Sequence, residues 1–226
     1  MTAPAPTATE RAYAVLRAEI LDGRRDPGAR MGEDALAEEL GISRTPVREA
    51  LQRLGTEGLV EHVPHRGARV VQVSVDDLAE TFELRALLEG QGARRAATRA
   101  TAADVASLRE LCTQMECSTA GARDLDLLTR LNSAFHARLL ELSASPRLTA
   151  MVASVVHVPL VMRTFHRYSD EALARSQHHH REICDALERH DGDWACSVMR
   201  SHIYAARTLL LDPPTPAPDD EAQEKQ

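Results

Sequence analysis

The sequence predicts a mostly α-helical chain in two parts: a small N-terminal unit of short helices closed by a pair of strands, then an all-α bundle of about six helices. Two short β-like runs, LVEHV (residues 59–63) and ARVVQV (residues 68–73), lie close together before residue 74, and none follows them. From Asp76 to Leu211 apolar residues recur at helical spacing in one segment after another. Start and stop signals separate those segments: Ser74 with Asp77, Thr101 with Asp104, Gly121, Ser145-Pro146, Ser169-Asp170 and Asp191-Gly192-Asp193.

These signals divide the chain into a disordered start (1–8), a winged helix-turn-helix unit (9–73), a helical bundle (74–211) and a disordered, Pro-rich acidic tail (212–226). No apolar run approaches the roughly 18 residues that cross a bilayer, and MTAPAPTATE lacks the basic and then apolar regions of a secretory signal. A cytoplasmic location with no membrane partner is therefore expected. Cys112, Cys117, Cys184 and Cys196 form no C-x-x-C pair and suit small buried positions. The net charge of −7 opposes nucleic-acid binding at face value. Between Gly41 and Val70, however, five arginines face three glutamates, so one face stays basic.

That basic window has a specific pattern. DALAEELGISRTPVREALQRLGTEGLV reads as a short helix from Asp34 to Leu40, a turn at Gly41, and a second helix from about Ser43, a possible cap, to Leu54. Pro46 falls in the first turn, where its missing N–H is no loss. Val47, Leu51 and Leu54 recur at i, i+4 and i+7 and must face the core, which turns Arg44, Thr45, Arg48 and Gln52 outward. Arginine forks, a hydroxyl and an amide near a helix N-terminus are what a recognition helix in a major groove requires. The turn Pro64-His65-Arg66-Gly67 puts Arg66 at the tip of a wing.

The stretch GISRTPVREALQRLGTEGLVEHVPHRGARVV closely resembles the winged helix of GntR-family transcriptional regulators. The resemblance implies that Arg44, Thr45 and Arg48 are the main DNA contacts and that Gly67 and its neighbours form the wing. Some family members carry a further DNA-contacting arginine where this chain has Asp34, a contact the resemblance does not carry over.

A second cluster lies in the bundle. In DLDLLTRLNSAFHARLLEL the residues Leu128, Leu131, Phe135, Leu139 and Leu142 form an apolar stripe, and Asn132 and His136 sit within it, one turn apart. Around QHHHREI the apolar positions Leu173, Ile183 and Leu187 put His180 on the inward face and turn His178 and His179 elsewhere. In the last helix Val198, Ala206 and Leu209 carry His202 with them. A single buried histidine is ordinarily a hydrogen-bonded core residue. Three from separate helices, with an amide oxygen one turn from one of them, suit a divalent transition metal, with zinc preferred and nickel or manganese admissible.

The helical half also resembles the FCD effector domain of the FadR-like GntR subgroup, through ELRALLEG, ARRAATRAT, NSAFHARLLELSASPRL, HHREICDALERHDGD and MRSHI. Metal-binding members use an Asp or Asn one turn before a histidine, plus two later histidines. The resemblance maps these onto Asn132, His136, His180 and His202. Acyl-CoA-binding members lack these histidines, which disfavours that ligand class here.

Asparagine and three imidazoles offset none of a divalent charge, so an anion is expected to complete the site. A small carboxylate on the open coordination positions meets this need, and Arg85 in the ELR segment is a candidate second contact. The expected function is that of a homodimeric DNA-binding regulator, reading an inverted repeat and acting as a repressor whose operator affinity responds to a small carboxylate at the metal. The alternatives are a regulator that responds to the metal ion itself, and a metal-dependent enzyme. The latter is disfavoured because no carboxylate in the His136 stripe offers a general base.

Overall fold

The computed structural model of the chain describes residues 6–63, 67–156 and 164–211. The N-terminal part runs α1 (Ala8–Leu21), β1 (Arg30–Met31), α2 (Glu33–Leu40), α3 (Arg44–Thr56), β2 (Val60–Val63) and β3 (Gly67–Val70). Thr7 and Glu10 start α1 with a reciprocal capping box: the Glu10 N–H donates to Thr7 Oγ1 at 3.2 Å, and the Thr7 N–H donates to the Glu10 carboxylate at 2.7 Å. This corrects the expected disordered start, because Thr7 caps the helix and Ala8 begins it. Residues 1–5, the tail 212–226 and the expected hairpin turn Pro64-His65-Arg66 lie outside the described residues.

The turn between α2 and α3 depends on Gly41, whose φ of 64° is left-handed. In that conformation the Gly41 and Ile42 N–H groups donate to the Glu38 and Ala37 carbonyls at 3.2 and 3.0 Å, closing α2 and redirecting the chain. Ser43 occupies the N-cap position of α3, but its side chain makes no capping hydrogen bond, contrary to expectation. The three strands form an antiparallel sheet in the order β1-β3-β2. β1 is only two residues long and too short to show alternation in the sequence. Its approach requires Gly67, because a Cβ there would stand 3.0 Å from the Met31 carbonyl oxygen and φ is 82°. β3 ends at Val70, short of the expected Val73.

Leu16 and Ile20 of α1, Met31, Leu36, Val47, Leu51, Leu54, Val60 and Val70 close over one core. A second core occupies the bundle of α4 (Val75–Ala97), α5 (Ala102–Thr119), α6 (Leu125–Leu142), α7 (Pro146–Val155), α8 (Asp170–Glu188) and α9 (Gly192–Leu211). Each fully buried Leu, Phe or Met contributes about 1.5–3 kcal/mol. The expected caps are present: Ser74 accepts from the Asp77 N–H at 3.0 Å, and Thr101 and Asp104 form a capping box. α4 and α9 pack closely at Gly90, where a Cβ would meet Arg200 Cγ at 2.9 Å. The four cysteines are free, and Cys112 and Cys184 are core residues. The two units touch where Arg17 of α1 pairs with Asp126 at the start of α6, at 2.5 Å, and where His166 meets Asp22 at 3.1 Å. No helix among the described residues is long and apolar enough to cross a membrane.

Candidate metal centre and nucleic-acid interface

On α3 the core takes Val47, Ala50, Leu51 and Leu54, and Arg44, Thr45, Arg48 and Gln52 are exposed on the other side. The outward face therefore carries all four of the expected contacts. Two of them are not free. Arg44 Nε stands 2.7 Å from Asp34 Oδ1, and Arg48 donates through Nε and Nη2 to the Glu33 carboxylate at 3.0 and 2.8 Å. Gly67 stands at the start of β3, beside β1, and Arg66 lies outside the described residues.

In the bundle, α6 supplies Asn132 and His136, α8 supplies His180, and α9 supplies His202, all buried. The sequence phase of each helix thus carries through to the fold. The ring centroids of His180 and His202 are 4.5 Å apart, those of His136 and His202 5.3 Å, and those of His136 and His180 5.7 Å. Nitrogens of the three rings all lie within 4.8 Å of one another. Tetrahedral zinc at about 2.0–2.1 Å per nitrogen sets its nitrogens about 3.3–3.4 Å apart, so the rings close by at most about 1.5 Å on an ion.

Asn132 Oδ1, His136 Nε2, both nitrogens of His180 and His202 Nδ1 are buried with no hydrogen-bond partner among the described residues. An unsatisfied buried polar atom costs about 1–3 kcal/mol, so natural cores seldom gather five. A cation accepting lone pairs from Asn132 Oδ1, His136 Nε2, one nitrogen of His180 and His202 Nδ1 removes most of that cost, and the residues present fit one. Burial pushes the imidazoles of His180 and His202 well below their ordinary pKa, and the neighbouring histidines push the same way. Neutral imidazole is the form that ligates metal.

One residue here went unseen in the sequence, and another was turned away from the site. Glu89 of α4, 3% exposed, has Oε2 at 2.5 Å from His136 Nδ1, while its Oε1 accepts from Arg85 Nε at 2.8 Å. A carboxylate behind a ligating histidine fixes the ring and its tautomer. Burial drives the Glu89 carboxyl up, but Arg85 and His136, through charge and hydrogen bonds, outweigh it and hold it down at about 2. Glu89 brings a negative charge that the sequence-based count omitted, and Arg85 cancels it. Arg85 is thus a buried partner of Glu89, four residues apart on one helix, rather than an uncommitted contact. The second residue is His179. The phase of α8 turns it away, yet it is half-buried, its ring centroid 6.0 Å from that of His202 and its Nδ1 unpaired among the described residues. His178 is exposed, as expected.

In metal-free form the protein should lose stability as pH falls below about 6.5. The folded state keeps His180 and His202 neutral and the unfolded chain protonates them, so each costs about 1.4 kcal/mol per pH unit below that point. Glu89 acts in a lower window: its stabilisation is present above about 4.5 and is lost as pH falls through about 2. Urea midpoints at pH 8, 7, 6 and 5 check this, and a flat profile would contradict it.

Residues 8–70 match the gntR family of bacterial regulatory proteins, and residues 80–205 match the FCD domain. The chain belongs to the GntR family of transcriptional regulators. It is 34% identical over 189 residues to the Nta operon transcriptional regulator of Aminobacter aminovorans, covering 82% of this chain and 86% of that one. It is 32% identical over 190 residues to the probable D-xylose utilization operon transcriptional repressor of Paenarthrobacter nicotinovorans, covering 83% and 81%. The solved structure of E. coli McbR/YncC is similar to this GntR regulator with a TM-score of 0.59 at 25% identity, over 88% of this chain and 95% of that one. This GntR protein is thus a DNA-binding transcriptional regulator with an N-terminal helix-turn-helix and a C-terminal helical FCD domain.

Proposed function

We propose that this regulator is a cytoplasmic homodimeric repressor that reads an inverted-repeat operator in double-stranded DNA, and that a small carboxylate bound at a divalent metal changes its operator affinity. Asn132, His136, His180 and His202 hold the metal, zinc first and nickel or manganese next. The observation that carries this reading is the set of buried ligand atoms of α6, α8 and α9 that have no hydrogen-bond partner among the described residues. The ion supplies positive charge and open positions for the carboxylate. Glu89 holds the His136 ring, and Arg85, whose Nε is taken by Glu89, offers the anion its Nη donors.

Arg44, Thr45, Arg48 and Gln52 meet the major groove, with Arg66 and Gly67 in the wing. The repressor sense is supported by the Paenarthrobacter relative's description as a probable repressor. The exposed apolar residues Leu84 and Leu87 of α4 and Met151 of α7 suit burial against a second copy. A route between the sites exists in α6, which carries Asn132 and His136 and, at its start, Asp126 paired with Arg17 of α1. A carboxylate that binds one arrangement of the domains better than the other shifts their equilibrium through such contacts.

The test is elemental analysis of untagged protein, wild type beside His180→Ala, followed by operator titration with and without carboxylic acids. About one metal per chain is expected in the wild type and little in the variant. An effective acid should move operator affinity by about 5–150-fold in the metal-loaded form only. Asn132→Asp should hold metal more tightly and the acid more weakly, since it adds the missing charge. Absence of metal after incubation with zinc, nickel and manganese would overturn the reading. Operator affinity that follows metal but ignores every acid would favour the ion itself as effector.

A further inference from the structure

We propose that Asp34 and Glu33 set DNA specificity as positioning residues: they hold the forks of Arg44 and Arg48 for base edges and suppress binding to bare phosphate backbone. The inference rests on the reading that α3 enters the major groove.

Both acids stand in the first turn of α2, whose Gly32 cap offers no side chain. Acids there favour the helix dipole, but that needs no partner across the turn. Here each reaches a different arginine on the outward face of α3: Asp34 to Arg44 Nε at 2.7 Å, Glu33 to Arg48 Nε and Nη2 at 3.0 and 2.8 Å. Contact on the Nε side leaves the Nη1–Nη2 edge of a guanidinium to donate to guanine O6 and N7, the bidentate contact that discriminates bases. A fork held in one orientation loses less side-chain freedom on meeting a base. The wing repeats the arrangement, with Arg69 of β3 paired to Glu61 of β2 at 2.5 Å.

The pairs also change what a random duplex meets. Sequence-independent binding comes from cations that neutralise phosphates and release counterions. Arg44 and Arg48 with Asp34 and Glu33 sum to no charge, on a chain of net charge −7. A phosphate approaching either arginine therefore also approaches a carboxylate. A guanine edge presents no such charge, so the acids weaken wrong sites more than the right one. Exposed pairs of this kind add little to folding, so their removal leaves the domain intact.

The test compares full-length wild type with Asp34→Asn, Glu33→Gln and the double variant. Affinities are measured by fluorescence anisotropy across a range of salt concentrations, on a duplex selected by the wild type from a randomised pool and on its scrambled counterpart. The double variant should bind scrambled DNA about tenfold more tightly, with a log–log salt slope steeper by about 1–2, as expected for one or two more phosphates neutralised. Affinity for the selected duplex should change less than about threefold, so the specificity ratio falls. Equal tightening on both duplexes, or no change on either, overturns the proposal. Arg44→Ala and Arg48→Ala in the same assay separate the two failures: if they leave binding to the selected duplex intact, the assignment of α3 falls, whatever the acids do.

Discussion

Glu89→Leu should destabilise the metal-free protein by about 3–5 kcal/mol, the cost of leaving a buried charge without its partner. The orphaned group is Arg85, whose side chain is 7% exposed and whose Nε donates to Glu89. Leucine matches the volume roughly, so packing accounts for little of the loss. Replacing both members, Arg85→Met with Glu89→Leu, should recover most of the stability, because the desolvation cost of both charges disappears together. The gentler Glu89→Gln leaves His136 without a carboxylate behind Nδ1 and should weaken metal retention about 10–100-fold. Urea denaturation and competition with a chromophoric chelator read the two effects separately. A loss below about 1 kcal/mol for Glu89→Leu would show that Arg85 finds another partner or reaches water.

The double variant Arg44→Ala, Arg48→Ala should bind operator about 30-fold to 10⁴-fold more weakly while its folding stability stays within about 0.5 kcal/mol. Each bidentate arginine–guanine contact discriminates by about 1–3 kcal/mol, and both side chains are more than half exposed in the free protein, at 67% and 58%. Thr45→Ala and Gln52→Ala should each cost less, since neither brings a charge-assisted fork. Operator titration at one fixed salt concentration measures this. Unchanged affinity in the double variant would falsify the assignment of α3 as the reading helix.

Much of this was legible in the chain. Val47, Leu51 and Leu54 give the phase of α3, and that phase alone turns Arg44, Thr45, Arg48 and Gln52 outward. Leu128, Phe135 and Leu139 do the same for Asn132 and His136, and Ser74, Thr101 and Ser145 mark helix starts that the fold keeps. What escaped has a common cause. β1 has two residues and no period to detect, and exists because β3 offers it hydrogen bonds. His179 sits about 100° around α8 from His180, outside the apolar stripe, yet α9 brings His202 close enough to cover it.

The sequence by itself determined the division into a winged unit and a helical bundle, which residues of α3 face outward, and the identity of three inward histidines and one inward asparagine. Each of these follows from local periodicity and capping, which act over one or two turns of helix. Only the tertiary structure decided that Glu89 stands behind His136, that Arg85 is its counter-ion, and that Asp34 and Glu33 hold the arginines of α3. Glu89 and His136 are 47 residues apart, and Glu33 and Arg48 are 15 apart. Charge pairing over such separations depends on how helices cross, and helix crossing is set by side-chain packing rather than by the period of any one helix.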